Sequence, residues 1–140
     1  KALTEYTWHP SLSYEDIRKR LSDIFEKAKS SKGLELVSEL LGLIAAKTPN
    51  DKIYYLAVSE AHSPRRSFDL NAYSADIQLE ALYPLLKKIC RHYSIPADLF
   101  FNLYSQVKHK RFGHISGGID RDGNDFLTIY FGLQPVVLDR

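Results

Sequence analysis

The chain contains no methionine, one cysteine and one tryptophan, and its charges nearly balance. With Cys90 alone no internal disulfide can form, so a disulfide-stapled scaffold is excluded and a reducing, cytoplasmic setting is expected. Cysteine and histidine never fall in pairs at metal-ligand spacing, which excludes a zinc module; neither a metal nor an organic cofactor is implied. No apolar run approaches the roughly 18 residues that span a bilayer, and no signal-peptide pattern opens the sequence, so no membrane association is expected. A start at Lys1 without methionine predicts that the natural N-terminus has been trimmed. Nineteen Lys and Arg against 17 Asp and Glu give a net charge of +2, far from the basic balance of a dedicated nucleic-acid protein. Any anionic partner would have to be held locally.

What is present suits one soluble globular domain of 140 residues, 44% of them hydrophobic. At that length about two thirds of the unfolded surface can be buried without metals or bridges. Residues 1–12, with Tyr6, Trp8 and Pro10, read as an extended arm with Trp8 as its anchor. Ser13, Glu15 and Asp16 open a first helix, and Ile17, Leu21, Ile24, Phe25 and Ala28 form its buried stripe. Ser30 to Gly33 break that helix, and Leu36, Val37, Leu40, Leu41 and Ile44 mark a second that ends before Thr48, Pro49 and Asn50. The two should pack as a helical hairpin.

The period then changes. Residues 53–60 and 66–73 are β-rich runs separated by His62, Ser63 and Pro64, which predicts a β-hairpin. A third helix is expected over 76–93, with Leu79, Leu82, Leu86, Ile89 and Tyr93 inward, Pro84 either kinking it or marking its true first turn. Pro96, Ala97 and Asp98 open a short fourth helix carrying Leu99, Phe100, Leu103, Tyr104 and Val107. A second hairpin, 111–119 and 125–133, turns through Asp120 to Asn124, where Asp-Gly and Asn supply positive φ. Two helix-and-hairpin units predict an α+β domain: an antiparallel four-stranded sheet with helices packed on one face.

Side chains alternate across a strand, so each strand has a core set and an outer set. Leu127, Ile129 and Phe131 should face the helices, with Phe126, Thr128 and Tyr130 away. Phe68, Leu70 and Ala72 go in, and Ser67, Asp69, Asn71 and Tyr73 out; Ile115 and Ile119 go in, and His114 and Ser116 out. On the first predicted strand Leu56 and Val58 are placed inside, Tyr55 and Ser59 outside. The outer face then carries hydroxyls, aromatics, one carboxylate and one imidazole, a blend closer to a pocket or interface than to a solvated sheet.

On that face His114 and Asp69 are the candidate proton-transfer groups, Asp69 being either a partner for His114 or itself a base; neither makes a catalytic pair from sequence alone. Arg65 and Arg66, and the run Lys108 to Arg111, are candidates for holding phosphate, set against the ordinary reading of a charged edge that discourages aggregation. Gly113, Gly117 and Gly118 crowd one strand without the Lys-Ser/Thr ending or the following helix of a phosphate loop, and point to curvature, a bulge or close approach of a ligand.

Asp51-Lys-Ile-Tyr-Tyr through Ser67-Phe-Asp-Leu-Asn-Ala-Tyr reads as one hairpin; His92 to Phe101, then Arg111-Phe-Gly-His and the Asp-Gly turn into Leu127-Thr-Ile-Tyr-Phe, as the next helix and hairpin. Over residues 34–133 this order of elements resembles the ABBA-type aromatic prenyltransferases, whose barrel is built from such repeats. The resemblance implies an isoprenoid diphosphate held by Tyr55, Tyr73 and Tyr130 with Arg66 or Arg111, and an aromatic acceptor close to Asp69 or His114 as proton acceptor. Asn71, Ser116 and Thr128 complete the candidate ligand-binding set. That family's closed barrel needs more strands than four, so this chain would be a piece of a larger enzyme, half of a homodimer that completes the wall, or a relative that kept the unit without the chemistry. Two other classes stand beside it: a non-enzymatic module that binds a protein partner or its own copy through the sheet face, and single-stranded nucleic-acid binding, against which the modest charge argues.

Overall fold

Helix signals in the sequence act where they stand. In the computed structural model, which describes residues 4–9, 12–49 and 52–132, the Ser13 hydroxyl accepts the Asp16 amide at 3.1 Å and starts α1 (Tyr14–Phe25). Ile17, Leu21 and Phe25 are its buried stripe. The second helix, α2 (Lys32–Ala45), begins inside the expected break and takes Gly33 into its first turn, burying Leu36, Val37, Leu40, Leu41 and Ile44. The third is shorter than predicted. Asp76 sits at φ 51°, a left-handed conformation in which no α-helix can start; short 3-10 turns at Tyr73–Ala75 and Leu79–Leu82 precede α3 (Tyr83–His92). Pro84 thus lies in the first turn, where its missing N–H costs nothing. The fourth helix, α4 (Ala97–Val107), follows Pro96 as expected.

Among the described residues the sheet has five strands rather than four, all antiparallel and in chain order: β1 (Thr4–His9), β2 (Tyr54–Glu60), β3 (Arg66–Asn71), β4 (Phe112–Ile119) and β5 (Asp125–Phe131). The additional strand comes from the expected arm, whose residues 4–9 pair with β2 from Thr4↔Glu60 to His9↔Tyr55; residues 1–3, 10 and 11 of the arm and residue 133 of the last predicted strand lie outside the described residues. Trp8 does not anchor β1 in the core: it is 63% exposed. The β4–β5 turn forms as predicted, with Asp120 Oδ1 accepting the amides of Asp122 and Asn124 at 2.9 and 3.0 Å and Gly123 at φ 81°.

The core lies between the helices and one sheet face, where Tyr55, Phe68, Leu70 and Ile115 meet the helix stripes. Parity on β3, β4 and β5 is as the alternation predicts, but on β2 it is reversed. Tyr55 is 1% exposed and Ala57 packs on the core, while Leu56 and Val58 are only partly buried on the other face. Both alternate sets of β2 are apolar, so alternation there carries no information. The hairpin register decides instead: Tyr55 pairs with Leu70 and Ala57 with Phe68, and partners in register share a face. Ser59, with the parity of Tyr55, moves with it. Tyr73 lies in a 3-10 turn rather than at the end of a strand, and is 7% exposed.

Two carboxylates tie the layers together. Asp125 accepts hydrogen bonds from His92 Nε2 and the Tyr93 hydroxyl, each at 2.9 Å, joining β5 to the end of α3. Glu60, with a fully enclosed side chain, receives Arg121 through two nitrogens at 2.9 and 2.6 Å and Arg65 at 3.5 Å. Hydrogen bonding from Arg121 is the main reason its carboxyl is held at about 2 rather than 4.5. A native value below the unfolded one means that the stabilisation is complete above about pH 4.5 and is lost as pH falls towards about 2. Urea midpoints measured across that window should fall for the parent chain, and Glu60→Gln should flatten that part of the acid limb.

Tyr55 has the opposite problem. Its ring stacks on Phe68, with centroids 6.4 Å apart, but its buried hydroxyl has no hydrogen-bond partner among the described residues, and burial pushes its pKa up. An unsatisfied buried hydroxyl costs about 1–3 kcal/mol, so Tyr55→Phe should raise the urea midpoint. A lowered midpoint would show that the hydroxyl is satisfied.

Candidate functional site

The sheet face opposite the helices is built in cross-strand rows. One row runs Trp8, Leu56, Asp69, Ser116, Thr128; the next runs Tyr54, Asn71, His114, Tyr130; a third runs Tyr6, Val58, Ser67, Gly118, Phe126. Large aromatics stand open on it: Tyr6 is 67% exposed, Tyr54 45% and Tyr130 37%. Asp69 and His114 are diagonal neighbours on adjacent strands, within reach of each other by strand geometry alone.

They meet. His114 Nδ1 lies 3.0 and 3.1 Å from the two oxygens of Asp69, both side chains being partly buried. A carboxylate can only accept, so Nδ1 carries a proton, and in the neutral ring Nε2 is the nitrogen that keeps its lone pair. Tyr130 stacks on the imidazole with ring planes 3° from parallel and centroids 4.0 Å apart. The Tyr73 ring lies 6.2 Å from the imidazole, tilted by 44°; burial first, and then the charge on Asp69, pushes its hydroxyl pKa up. A shallow concavity of about 240 Å³ runs beside the pair, lined by Trp8, Tyr54, Leu56, Asp69, Asn71 and His114, with Tyr55 also bordering it.

Of the residues singled out from the sequence, Asp69, Asn71, Tyr73, His114, Ser116, Thr128 and Tyr130 gather on or beside this face. Asn71 also accepts the Tyr73 amide through Oδ1 at 3.3 Å, holding the turn that places Tyr73. The other three are elsewhere. Tyr55 sends its ring into the core. Arg66 hydrogen-bonds the carbonyls of Ser63 and Arg65 at 3.1 and 2.8 Å and borders a hollow on the helix side with Asp23 and Glu26. Arg111 pairs with Asp76 at 3.1 Å. Trp8, Tyr54 and Leu56 complete the wall and escaped the sequence reading. The pairing of β1 with β2 places Trp8, and the β2 register places the other two; the sequence carries only the aromatic content of the arm as a signal.

Gly113 is the bulge of β4: the register shifts between Phe112 and His114, leaving one residue without a cross-strand partner. A Cβ there would run into the Tyr73 ring, so the missing side chain is what lets Tyr73 lie against the strand beside His114. Gly113→Ala should cost about 1–3 kcal/mol, and Tyr73→Ala in the same chain should recover part of it. Urea unfolding of the double-mutant cycle measures this, and strict additivity would show that the two do not touch.

No protein-family model matches the chain, and no curated protein or solved structure matches it. The reading of the site rests on its own geometry.

Proposed function

We propose that the open sheet face binds an electron-rich aromatic small molecule and that His114 takes a proton from it, as the acceptor side of a prenyl transfer of the ABBA kind. One observation carries the reading: a His–Asp pair backed by a parallel tyrosine in the middle of an uncovered aromatic face. Asp69 fixes the imidazole's tautomer, which leaves Nε2 as the base. In the proposed reaction the allylic carbon–oxygen bond of a prenyl diphosphate breaks and diphosphate leaves with the electron pair. A ring carbon of the acceptor bonds the allylic carbon, and the proton on that ring carbon passes to His114 as aromaticity returns. The ring faces of Tyr130, Tyr54 and Trp8 would shield the cation from water and stabilise it, while Asn71, Ser116 and Thr128 offer neutral hydrogen-bonding groups.

Support for the two halves differs in origin. The acceptor side draws on the geometry. The isoprenoid diphosphate draws on the resemblance in element order, because Arg66 and Arg111 stand apart from the dyad and Arg65 and Arg121 are engaged by Glu60. A second reading, a non-enzymatic face for a protein partner, is favoured by the exposed Tyr6 and Trp8 on the edge strand β1.

Trp8 is the chain's one tryptophan and stands on this face, so its emission reports binding directly. Resorcinol with dimethylallyl diphosphate should quench it saturably and give a prenylated product. His114→Ala and Asp69→Asn should each lower transfer about 100-fold or more with circular dichroism unchanged. Absence of product from the parent chain overturns the enzymatic reading and leaves the interaction face.

A further inference from the structure

Helix α4 carries more apolar surface than the domain covers. Phe100, Tyr104 and Val107 lean on the core, yet none of its 11 residues is fully buried, and Leu99, Phe101 and Leu103 are 63%, 54% and 52% exposed. At about 100° per residue, Leu99 and Phe101 lie about 200° apart around the axis with Leu103, Phe100 and Tyr104 between them. That arc is about twice the roughly 100° stripe of a helix with one buried side. Ile95, 41% exposed, continues it into the turn before the helix.

Between α3 and α4 this surface sinks into a hollow of about 350 Å³, and an adjoining one of about 190 Å³, walled also by Leu127, Ile129 and Phe131 of β5, shares Cys90, Ile95 and Phe100 with it. Among the described residues, the charged side chains that line them are Lys87 and Arg91, both cations, with no carboxylate. Neither is in an ion pair among the described residues; Lys87 lies 5.4 Å over the Tyr83 ring. Lys108, His109 and Lys110 follow at the end of α4. The carboxylate on α4, Asp98, points about 160° away from Phe100, and Glu80 beside Tyr104 faces His109 at 3.7 Å.

We propose that the α3–α4 groove docks an acidic amphipathic helix of another protein, its apolar side chains against Ile95, Phe100 and Phe101 and its carboxylates against Lys87 and Arg91, all of which line the same hollow. An 11-residue helix is about 16 Å long, which matches three turns of a partner presenting apolar residues at i, i+3 or i+4, and i+7. The cationic rim is also what excludes a second copy. A two-fold dimer through this patch would bring together two surfaces that carry cations and no carboxylate among their described lining residues.

The test uses two fluorescein-labelled synthetic helical peptides with the same leucines at i, i+3, i+4 and i+7, one with Glu and the other with Lys at the remaining positions. The acidic peptide should bind saturably, at least about 10-fold tighter than the basic one, and weaken with added salt. Ile95→Ser combined with Phe101→Ser, at positions exposed enough to leave the fold intact, should lower its affinity about 10-fold or more. Lys87→Glu combined with Arg91→Glu should turn the preference to the basic peptide. Equal binding of the two peptides, or binding of neither, overturns the proposal. So do concentration-dependent dimers in light scattering that vanish in the Ile95 and Phe101 double variant, which would give the groove to a second copy. The groove and the His114–Asp69 pair lie on opposite sides of the sheet, so this result is independent of the test with resorcinol.

Discussion

The register in which β2 meets β3 governs which chemistry the molecule shows to solvent. Pairing Tyr55 with Leu70 and Ala57 with Phe68 sends one alternate set of side chains under the helices and leaves Leu56, Asp69 and their row neighbours outside. A slip of one residue would reverse the faces of β2 relative to its neighbours, because the side-chain period of a strand is two. The slip is opposed by α1, α2 and α3, whose buried stripes are apolar and accept only an apolar sheet face. Tyr55 travels with the buried set although its hydroxyl finds no partner there. Ring burial against Phe68 outweighs one unpaired oxygen, since an aromatic side chain removes far more surface from water than a hydroxyl exposes.

Three carboxylates show how environment assigns different roles to one functional group. Glu60 is enclosed and saturated by two guanidinium groups, which makes it a structural knot at one end of the sheet. Asp125 accepts from an imidazole and a phenol where β5 meets α3 and is likewise structural. Asp69 has a single imidazole partner and a partly open face beside a concavity. Only there can a third molecule approach the histidine that the carboxylate orients, and this is what separates a candidate site from a staple.

The starts of α1 and α4, the apolar stripes of α1 and α2, both hairpins and the α+β class were legible because their signals are local: the cap at Ser13, Pro96 before a first turn, the Asp120–Asn124 turn, and spacings of three and four; the start of α3 was not, because the left-handed Asp76 delays it. The dyad was partly legible, since parity put Asp69 and His114 on one face without showing that they touch. Parity failed on β2, where both alternate sets are apolar, and on Tyr73, which a left-handed Asp76 holds in a turn. The fifth strand was read as an arm because Thr4–His9 has no core face of its own; it acquires strand character only by hydrogen bonding to β2.

By itself, then, the sequence determined four helices and four of the five strands, most core-facing residues of α1, α2 and α3 and of three strands, and the polar and aromatic character of the opposite face, since each of these depends on neighbours a few positions away. The tertiary structure alone decided the β2 face, the fifth strand, the contact of His114 with Asp69 and Tyr130, and the removal of Arg66 and Arg111 from that site. Those depend on register between segments far apart in the chain, and such pairing is settled by how the whole sheet and its helices pack, not by any local pattern of residues.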